Sequence, residues 1–440
     1  MNVQIPYGQS VLPVQVPENQ VVGVPVPRPM PPADDPKALL RQSIEAGIKK
    51  RGIVAQASPD ARVCIAITDR TRSTPNSLIL PILLDQLNGL GLQDQHITVI
   101  SGGGMHAPDS RDDLRRTVGQ AVLERVEVIT NEPDNDAAMV NLGATDLGTP
   151  VEVHQRFAEA DIKIGITNIN PCMLAGWAGS GKIVMPGVSS RRSIYHNHKQ
   201  FVEPLMELGC ASLLGVMPPL NPIRADIEQC ATISGIDMVV NNVLDSQRQL
   251  VDVFCGEHVA AHRAAVARML PNVKVSLPQA VDVMVAGVGD PALEVSLFQG
   301  GSRVCGGVDR YLRPGGTLVM VNACDEGVYE GFEHEKFRAW MRRMPTPAEI
   351  GQLVAGGEMG AEKGCVLFTF SWLLHEMDCR IILVTDGMTA TELEEIHLEH
   401  APSADLQQAT QEALSCYADS ASIGIMPYAG LVLPTLPASK

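Results

Sequence analysis

The sequence predicts an α/β protein of two domains with mainly parallel sheets and an active site in the cleft between them. Three observations lead there. The chain has 440 residues, more than one core of ordinary size holds. Short β-branched runs alternate with helical stretches, the rhythm of parallel strands joined by crossover helices. The rhythm breaks at a proline-marked stretch near residue 275 and then resumes.

Taken in order, residues 1–34 are rich in Pro and Val (VLPVQVP, VVGVPVPRPMPP). Frequent Pro excludes a central strand, so this stretch reads as an extended entry with an edge hairpin. Asp35 caps a helix with Pro36 in its first turn and Leu40, Ile44 and Ile48 on one face. Strands follow at 63–68, 96–101, 126–130 and 162–167, with helices at 77–87 and 109–118. Ser110 and Asp113 supply the S-x-x-D start of the second helix. The segment KIVMPG (182–187) reads as extended, 189–208 as a helix, and 255–278 as a long helix ending in the break. The second unit has strands at 281–288, 316–322 and 380–385, and helices at 294–312 and 404–417. The tail SIGIMPYAGLVLP reads as a strand pair that returns to the first domain and its N-terminal hairpin. The expected units are therefore 1–275, 276–415 and the tail 416–440.

Lys and Arg number 34 and Asp and Glu 50, a formal charge of −16. Such a surface repels phosphate backbones and anionic bilayers, so neither nucleic acid nor membrane is an expected partner. The N-terminus has no basic stretch before an apolar core, and no run of about 18 apolar residues follows. Ten cysteines are scattered without a C-x-x-C pair. These features together lead us to expect a cytoplasmic protein with free thiols.

Ligands of open α/β sheets bind at the carboxyl ends of strands, and four loops there carry unusual residues. In the first, TDRTRS, Asp69, Arg70 and Arg72 stand at a strand end. Arginine offers a planar fork to carboxylate or phosphate, although a solvated turn would use the same residues. In the second, SGGGMH, Gly103 and Gly104 permit close approach of a ligand and His106 is placed to act as a base. A tight turn would also use such glycines. In the third, Gly176 to Lys182 matches G-x-x-x-x-G-K, but Ile183 stands where a P-loop needs a hydroxyl. Lys182, with Gly179 and Gly181 before it, suits pairing with phosphate or work as a nucleophile. The fourth holds His196 and His198. Two residues apart on a helix, they do not share a face and are no chelating pair. Either one is equally readable as a histidine packed against its neighbours.

At these loops the chain resembles the nickel-dependent lactate racemase family. The family's Asp-x-Thr-Arg-Pro motif is matched by Asp69-Arg70-Thr71-Arg72, with Ser73 for proline. Its Gly-Thr-His-Arg loop is matched by Gly104-Met105-His106-Ala107. Its His-x-x-Ala-Gly-Tyr-Ser-Gly-Gly-x-Lys segment is matched by Cys172 to Lys182, followed by Pro186-Gly187 and Asn197-His198. In the second unit, Leu297-Phe298-Gln299-Gly300 is similar to the family's Tyr-Gln helix start, and the stretch from Gly315-Gly316 to Glu326-Gly327 to its Gly-Gly strand and Glu-Gly turn. The resemblance implies a nickel-pincer nucleotide (pyridinium-3-thioamide-5-thiocarboxylic acid mononucleotide) tethered to Lys182, with His198 on the nickel. Asp69, Arg70, Gly103, Gly104, Gly179 and Gly181 would line the cofactor. Arg72, Gln299 and Arg303 would meet the substrate. The implied reaction takes a hydride from C2 of a hydroxy acid and returns it to either face, with two bases handling the hydroxyl proton. His106 matches one base. The implied partners are a small 2-hydroxy acid and the proteins that make the cofactor.

The departures concern the substrate. Cys172 occupies the second histidine's position, either as a replacement acid–base group or as a small residue that enlarges the pocket. Ala107 replaces an arginine, Phe298 the tyrosine, and Ser302 the carboxylate-binding lysine, with Arg303 adjacent. Three readings follow: a racemase or epimerase of a 2-hydroxy acid other than lactate, a one-sided redox or elimination catalyst, and a non-catalytic carrier of the nickel cofactor.

Overall fold

In the computed structural model, which describes residues 1–418 and 420–435, the runs VCIAI and ITVIS are buried at every position. They do not alternate because their sheet is covered on both faces. The chain opens with a hairpin, β1 (Asn2–Tyr7) and β2 (Ser10–Gln15), and a short strand, β3 (Val21–Gly23). Helix α1 (Pro36–Arg51) starts where the Asp35 carboxylate accepts from the Lys37 and Ala38 amides. Then come β4 (Val63–Ile67), α2 (Asn76–Gly89), β5 (Ile97–Ser101), α3 (Arg111–Val118), β6 (Glu127–Thr130) and β7 (Ile162–Asn168). Ser110 and Asp113 form the reciprocal cap of α3. After α4 (Arg191–His198) and α5 (Pro222–Ile233), the pair β8 (Met238–Leu244) and β9 (Leu250–Gly256) leads into α6 (His258–Val273). The first sheet runs β9-β8-β7-β4-β5-β6 and is parallel except for β8 against β9.

The second unit contains β10 (Val281–Gly287), α7 (Ser302–Val308), β11 (Leu312–Val321) and α8 (Ala361–Ser371). It continues through β12 (Arg380–Val384), β13 (Glu399–Ala401), α9 (Leu406–Ser415) and β14 (Ile423–Met426). Its sheet runs β13-β12-β11-β10-β14-β3 and is parallel throughout.

The structure corrects several expectations. Residues 1–23 do not belong with the first unit. β3 is the edge strand of the second sheet, and Ile5, Val14 and Val16 pack with Val283, Val285 and Ile425. An edge is the one place that a proline-interrupted strand fits. The tail therefore meets the N-terminal segment, but inside the second sheet: β14 lies between β10 and β3. Leu433–Thr435 then pairs in parallel with Lys274–Ser276, where the domains join. Residues 436–440 of the expected tail lie outside the described residues. The long helix read from residue 255 begins only at His258, because the preceding residues pair with β8 and Glu257 caps the helix. The helix read from residue 294 begins at Leu297, where the Ser296 side chain accepts from the Gln299 amide. KIVMPG is not extended: Ser180–Ile183 forms a helical turn after Gly179, whose φ of 92° reverses the chain.

Three contacts close the units around one cleft. Arg70 is bidentate to Glu326 at 2.6 and 2.9 Å. The Ser73 hydroxyl donates to Asp290 at 2.7 Å, and the buried Tyr329 hydroxyl donates to the Met105 carbonyl at 2.9 Å. Among the described residues no helix is long and apolar enough to cross a membrane. A Tyr329→Phe protein should lose about 1 kcal/mol of stability, the net worth of one buried hydrogen bond. Urea titration checks this, and an unchanged midpoint would remove Tyr329 from the contacts that hold the cleft.

Candidate active site

Strands β4, β5 and β7 end at the same edge of the first sheet, so the loops after them share one cleft with α7 and α8 of the second unit. Its empty volume, open solvent included, is about 1160 Å³.

Asp69 after β4 and His106 after β5 meet at the cleft wall. His106 Nδ1 lies 2.8 Å from Asp69 Oδ2 and 3.2 Å from the Thr71 hydroxyl. Burial alone would raise the Asp69 carboxyl, but the charge and hydrogen bond of His106, with Arg72 and Thr71, hold it down to about 2. An ionised Asp69 keeps the proton on Nδ1 and leaves Nε2 free to accept one. Arg72 also lines the cleft; among the described residues its guanidinium donates to neutral groups, the Thr71 carbonyl and hydroxyl and the Gln299 amide oxygen. Arg70 does not line the cleft. Glu326 takes its fork, so its expected place against a cofactor is replaced by a bridge between the domains. Gly103 lines the cleft, whereas Gly104, at φ +57°, packs against Pro186.

The loop after β7 carries the densest chemistry. Cys172 and Lys182 face each other, with Nζ donating to Sγ at 3.4 Å. Burial would raise the thiol, but Lys182 and then Arg303 outweigh it and bring it down to about 6. Burial lowers the Lys182 ammonium below its ordinary value against the opposing pull of Cys172. Gly179 lines the cleft; Gly181 instead packs against Ala231 and Ile227. The glycine run opens no α-helix, so the P-loop match is excluded by geometry as well as by Ile183.

His198, at the end of α4, lines the cleft and His196 does not. Burial, and then Lys182, push His198 down to about 4, so its imidazole is neutral near pH 7 and has a lone pair for a metal. Among the described residues no three His, Cys, Asp or Glu side chains are grouped to hold a metal ion, so a metal here would take most of its ligands from another group. The side chains fit the cofactor that the resemblance implies. Lys182 supplies an amine, His198 one neutral ligand, and Thr68 a buried cleft hydroxyl without a partner.

The second unit contributes Gln299 from the helical turn before α7, Ser302 and Arg303 from the start of α7, and Glu362 from α8. Arg303 donates to the Pro171 carbonyl at 3.2 Å, and burial with Arg72 lowers it to about 10. Gln299 is held by Glu330 at 2.8 Å. Thr68, Glu362 and Tyr329 were missed by sequence reasoning. Thr68 is the last residue before the TDRTRS turn and was readable as such. Glu362 gave no signal, because beside Lys363 it looks like any exposed charged residue and its burial in the cleft wall exists only in the fold.

The sequence profile described as Lactate racemase N-terminal domain matches residues 7–209. A lactate racemase from Thermoanaerobacterium thermosaccharolyticum is 22% identical over 437 residues, 97% of each chain. A lactate racemase from Lactiplantibacillus plantarum is 27% identical over 277 residues, 62% of each chain. The solved lactate racemase apoprotein from T. thermosaccharolyticum shares the fold with a TM-score of 0.83 at 20% identity, covering 99% of this chain and 100% of that one. A protein from Thermotoga maritima superposes with a TM-score of 0.72 at 15% identity, over 92% of this chain and 100% of its own.

The Cys172–Lys182 pair can be tested in cofactor-free protein. Thiolate is the species that alkylates, so labelling of Cys172 by iodoacetamide should rise with pH through a midpoint near 6. Lys182→Met removes the nearer cation and should move that midpoint up to or beyond the ordinary thiol value of about 8.5. An unmoved midpoint would mean that Lys182 does not polarise the thiol.

Proposed function

The chain belongs to the lactate racemase family, and on that premise we propose that it is a racemase or epimerase of a 2-hydroxy acid other than lactate, using a nickel-pincer nucleotide held by Lys182 and His198. One observation carries the reading: two groups able to move a proton, His106 and Cys172, line the same cleft as Lys182, His198, Arg72 and Arg303. When bound, the cofactor supplies the acceptor and donor of the hydride at C2. His106, kept as the Nδ1–H form by Asp69, takes the hydroxyl proton at Nε2. Cys172 exchanges the proton from the other side as thiolate and thiol. Arg72 offers its fork to the substrate carboxylate, and Arg303 adds a second cation close by. Ser302 and Phe298 stand where the family places a lysine and a tyrosine, which argues for a substrate other than lactate.

A one-sided redox or elimination catalyst is the second reading. It is favoured by the unequal support of the two groups. His106 rests on a buried carboxylate, whereas Cys172 owes its acidity first to a lysine that tethering would neutralise.

Protein purified from a host able to make the cofactor should carry nickel and an added mass. Lys182→Ala should lose the adduct. His198→Ala should lose the nickel and His196→Ala should keep it. A wild-type protein without adduct or nickel would defeat the reading. Incubation with a panel of single-enantiomer 2-hydroxy acids, followed by chiral chromatography, tests catalysis; a loaded protein that converts none of them is a carrier.

The role of Cys172 separates the two readings. If it is the second acid–base group, Cys172→Ala should stop enantiomer interconversion while label exchange at one enantiomer continues through His106. Full racemisation by Cys172→Ala, with normal pH dependence, would reduce the thiol to a residue that makes room.

A further inference from the structure

We infer that Arg224 and His262 are positioning residues that clamp the backbone of loop 176–182 from behind and hold Lys182 in the cleft; its role as attachment residue rests on the reading above. Both side chains are completely buried. Arg224, on α5, donates to the carbonyls of Trp177 at 3.3 Å and Gly179 at 3.1 Å. His262, on α6, has its Nε2 3.0 Å from the carbonyl of Ala178 between them. Its Nδ1 lies 3.1 Å from the Arg263 guanidinium, which has only protons to give. Nδ1 therefore accepts, and Nε2 carries the hydrogen that Ala178 receives. Burial, with Arg224 nearby, keeps His262 far below the ordinary histidine range, so it serves as a neutral donor.

Packing alone does not account for this arrangement. A buried guanidinium is costly, and an apolar side chain would fill the same volume without that cost. Glu228 compensates the charge: it accepts from Arg224 at 2.8 Å and from Arg263 at 2.7 and 2.8 Å. The other Arg224 bonds go to the loop, and one of its nitrogens has no partner. Three successive carbonyls are thus drawn toward α5 and α6. The next amide, Ser180 N–H, donates to Thr167 and Asn241 at 2.9 and 3.0 Å. A loop held at four consecutive residues has one orientation, and Lys182 leaves it facing Cys172. The amine stays buried, and burial is the largest cause of its lowered pKa, opposed by Cys172 and reinforced by Arg72 and Arg303.

The test uses cofactor-free protein, so its failure is distinct from a failure to find the adduct. Lysines are acylated with an N-hydroxysuccinimide ester across a pH series, and the peptide holding Lys182 is followed by mass spectrometry. Unfolding midpoints are measured alongside. In wild type the Lys182 midpoint should lie below the ordinary lysine value of about 10.4. Arg224→Met and His262→Leu free the loop, admit water to the amine, and should raise that midpoint by about one unit or more. Arg224→Lys and His262→Gln keep a donor and should recover part of the shift, which a loss of general stability would not do. Should Arg224→Met fail to fold, the His262 pair decides. A wild-type midpoint in His262→Leu, or equal midpoints in His262→Leu and His262→Gln, would overturn the inference.

Discussion

The charged groups of the cleft depend on a backbone whose own hydrogen bonds are made elsewhere. An amine, a thiol and two guanidiniums share one space, and each would serve as a partner for any peptide group left unpaired beside it. In the loop after β7, where Pro171 does accept from Arg303, residues 177–180 avoid this because the carbonyls of Trp177, Ala178 and Gly179 are met by α5 and α6 and the Ser180 amide by side chains of β7 and β8. Its glycines serve that packing. A Cβ on Gly176, at φ +70°, would stand 1.9 Å from the Val216 carbonyl oxygen, and one on Gly181, the motif's second glycine, would stand 3.2 Å from Ala231. The G-x-x-x-x-G-K spacing is thus produced by close contact with the protein's own chain and not by a phosphate cradle.

What could be read from the sequence follows from where information is local. Buried parallel strands announce themselves as short apolar runs, and caps such as Asp35 and Ser110 act within one turn, so strands β4 to β7 of the first sheet were legible, whereas β8 and β9 were not read. Helix α8 was not. All eleven of its residues are buried, so it shows no amphipathic stripe, and its two charged residues pair with each other. The strand-end loops were legible because a polar break after an apolar strand is itself the signal. Arg70 could not be assigned, because its partner Glu326 lies 256 residues away. Arg224 and Glu228 stand at i and i+4, the spacing of any helical ion pair, and only the fold shows that Arg224 is fully buried.

Both units are needed to set the electrostatics of the site. Asp69, His106, Cys172 and Lys182 come from the first, Arg303 and Gln299 from the second. Arg303 lowers the Cys172 thiol and is itself lowered by burial and Arg72. The contacts that join the units, Ser73 to Asp290 and Tyr329 to Met105, flank residues of the cleft on both sides. A small change in their closure therefore alters acidity as well as shape.

The two proton-moving groups differ in how their state is secured. The His106 ring is held by a carboxylate three residues before Arg72. Cys172 is tuned first by the Lys182 ammonium and second by Arg303. An acyl bond to Lys182 would remove the first of these charges and leave burial, which raises the thiol, opposed chiefly by Arg303. The cysteine would then be a stronger acid before attachment than after it. In a protein so loaded Arg303 would carry the burden, and a substrate carboxylate that engages Arg303 would draw part of its field away from the sulfur. Under the proposed function, binding and proton transfer would be coupled through Arg303 on that face, and on the His106 face through Arg72, which donates to Thr71 and helps to hold Asp69 down.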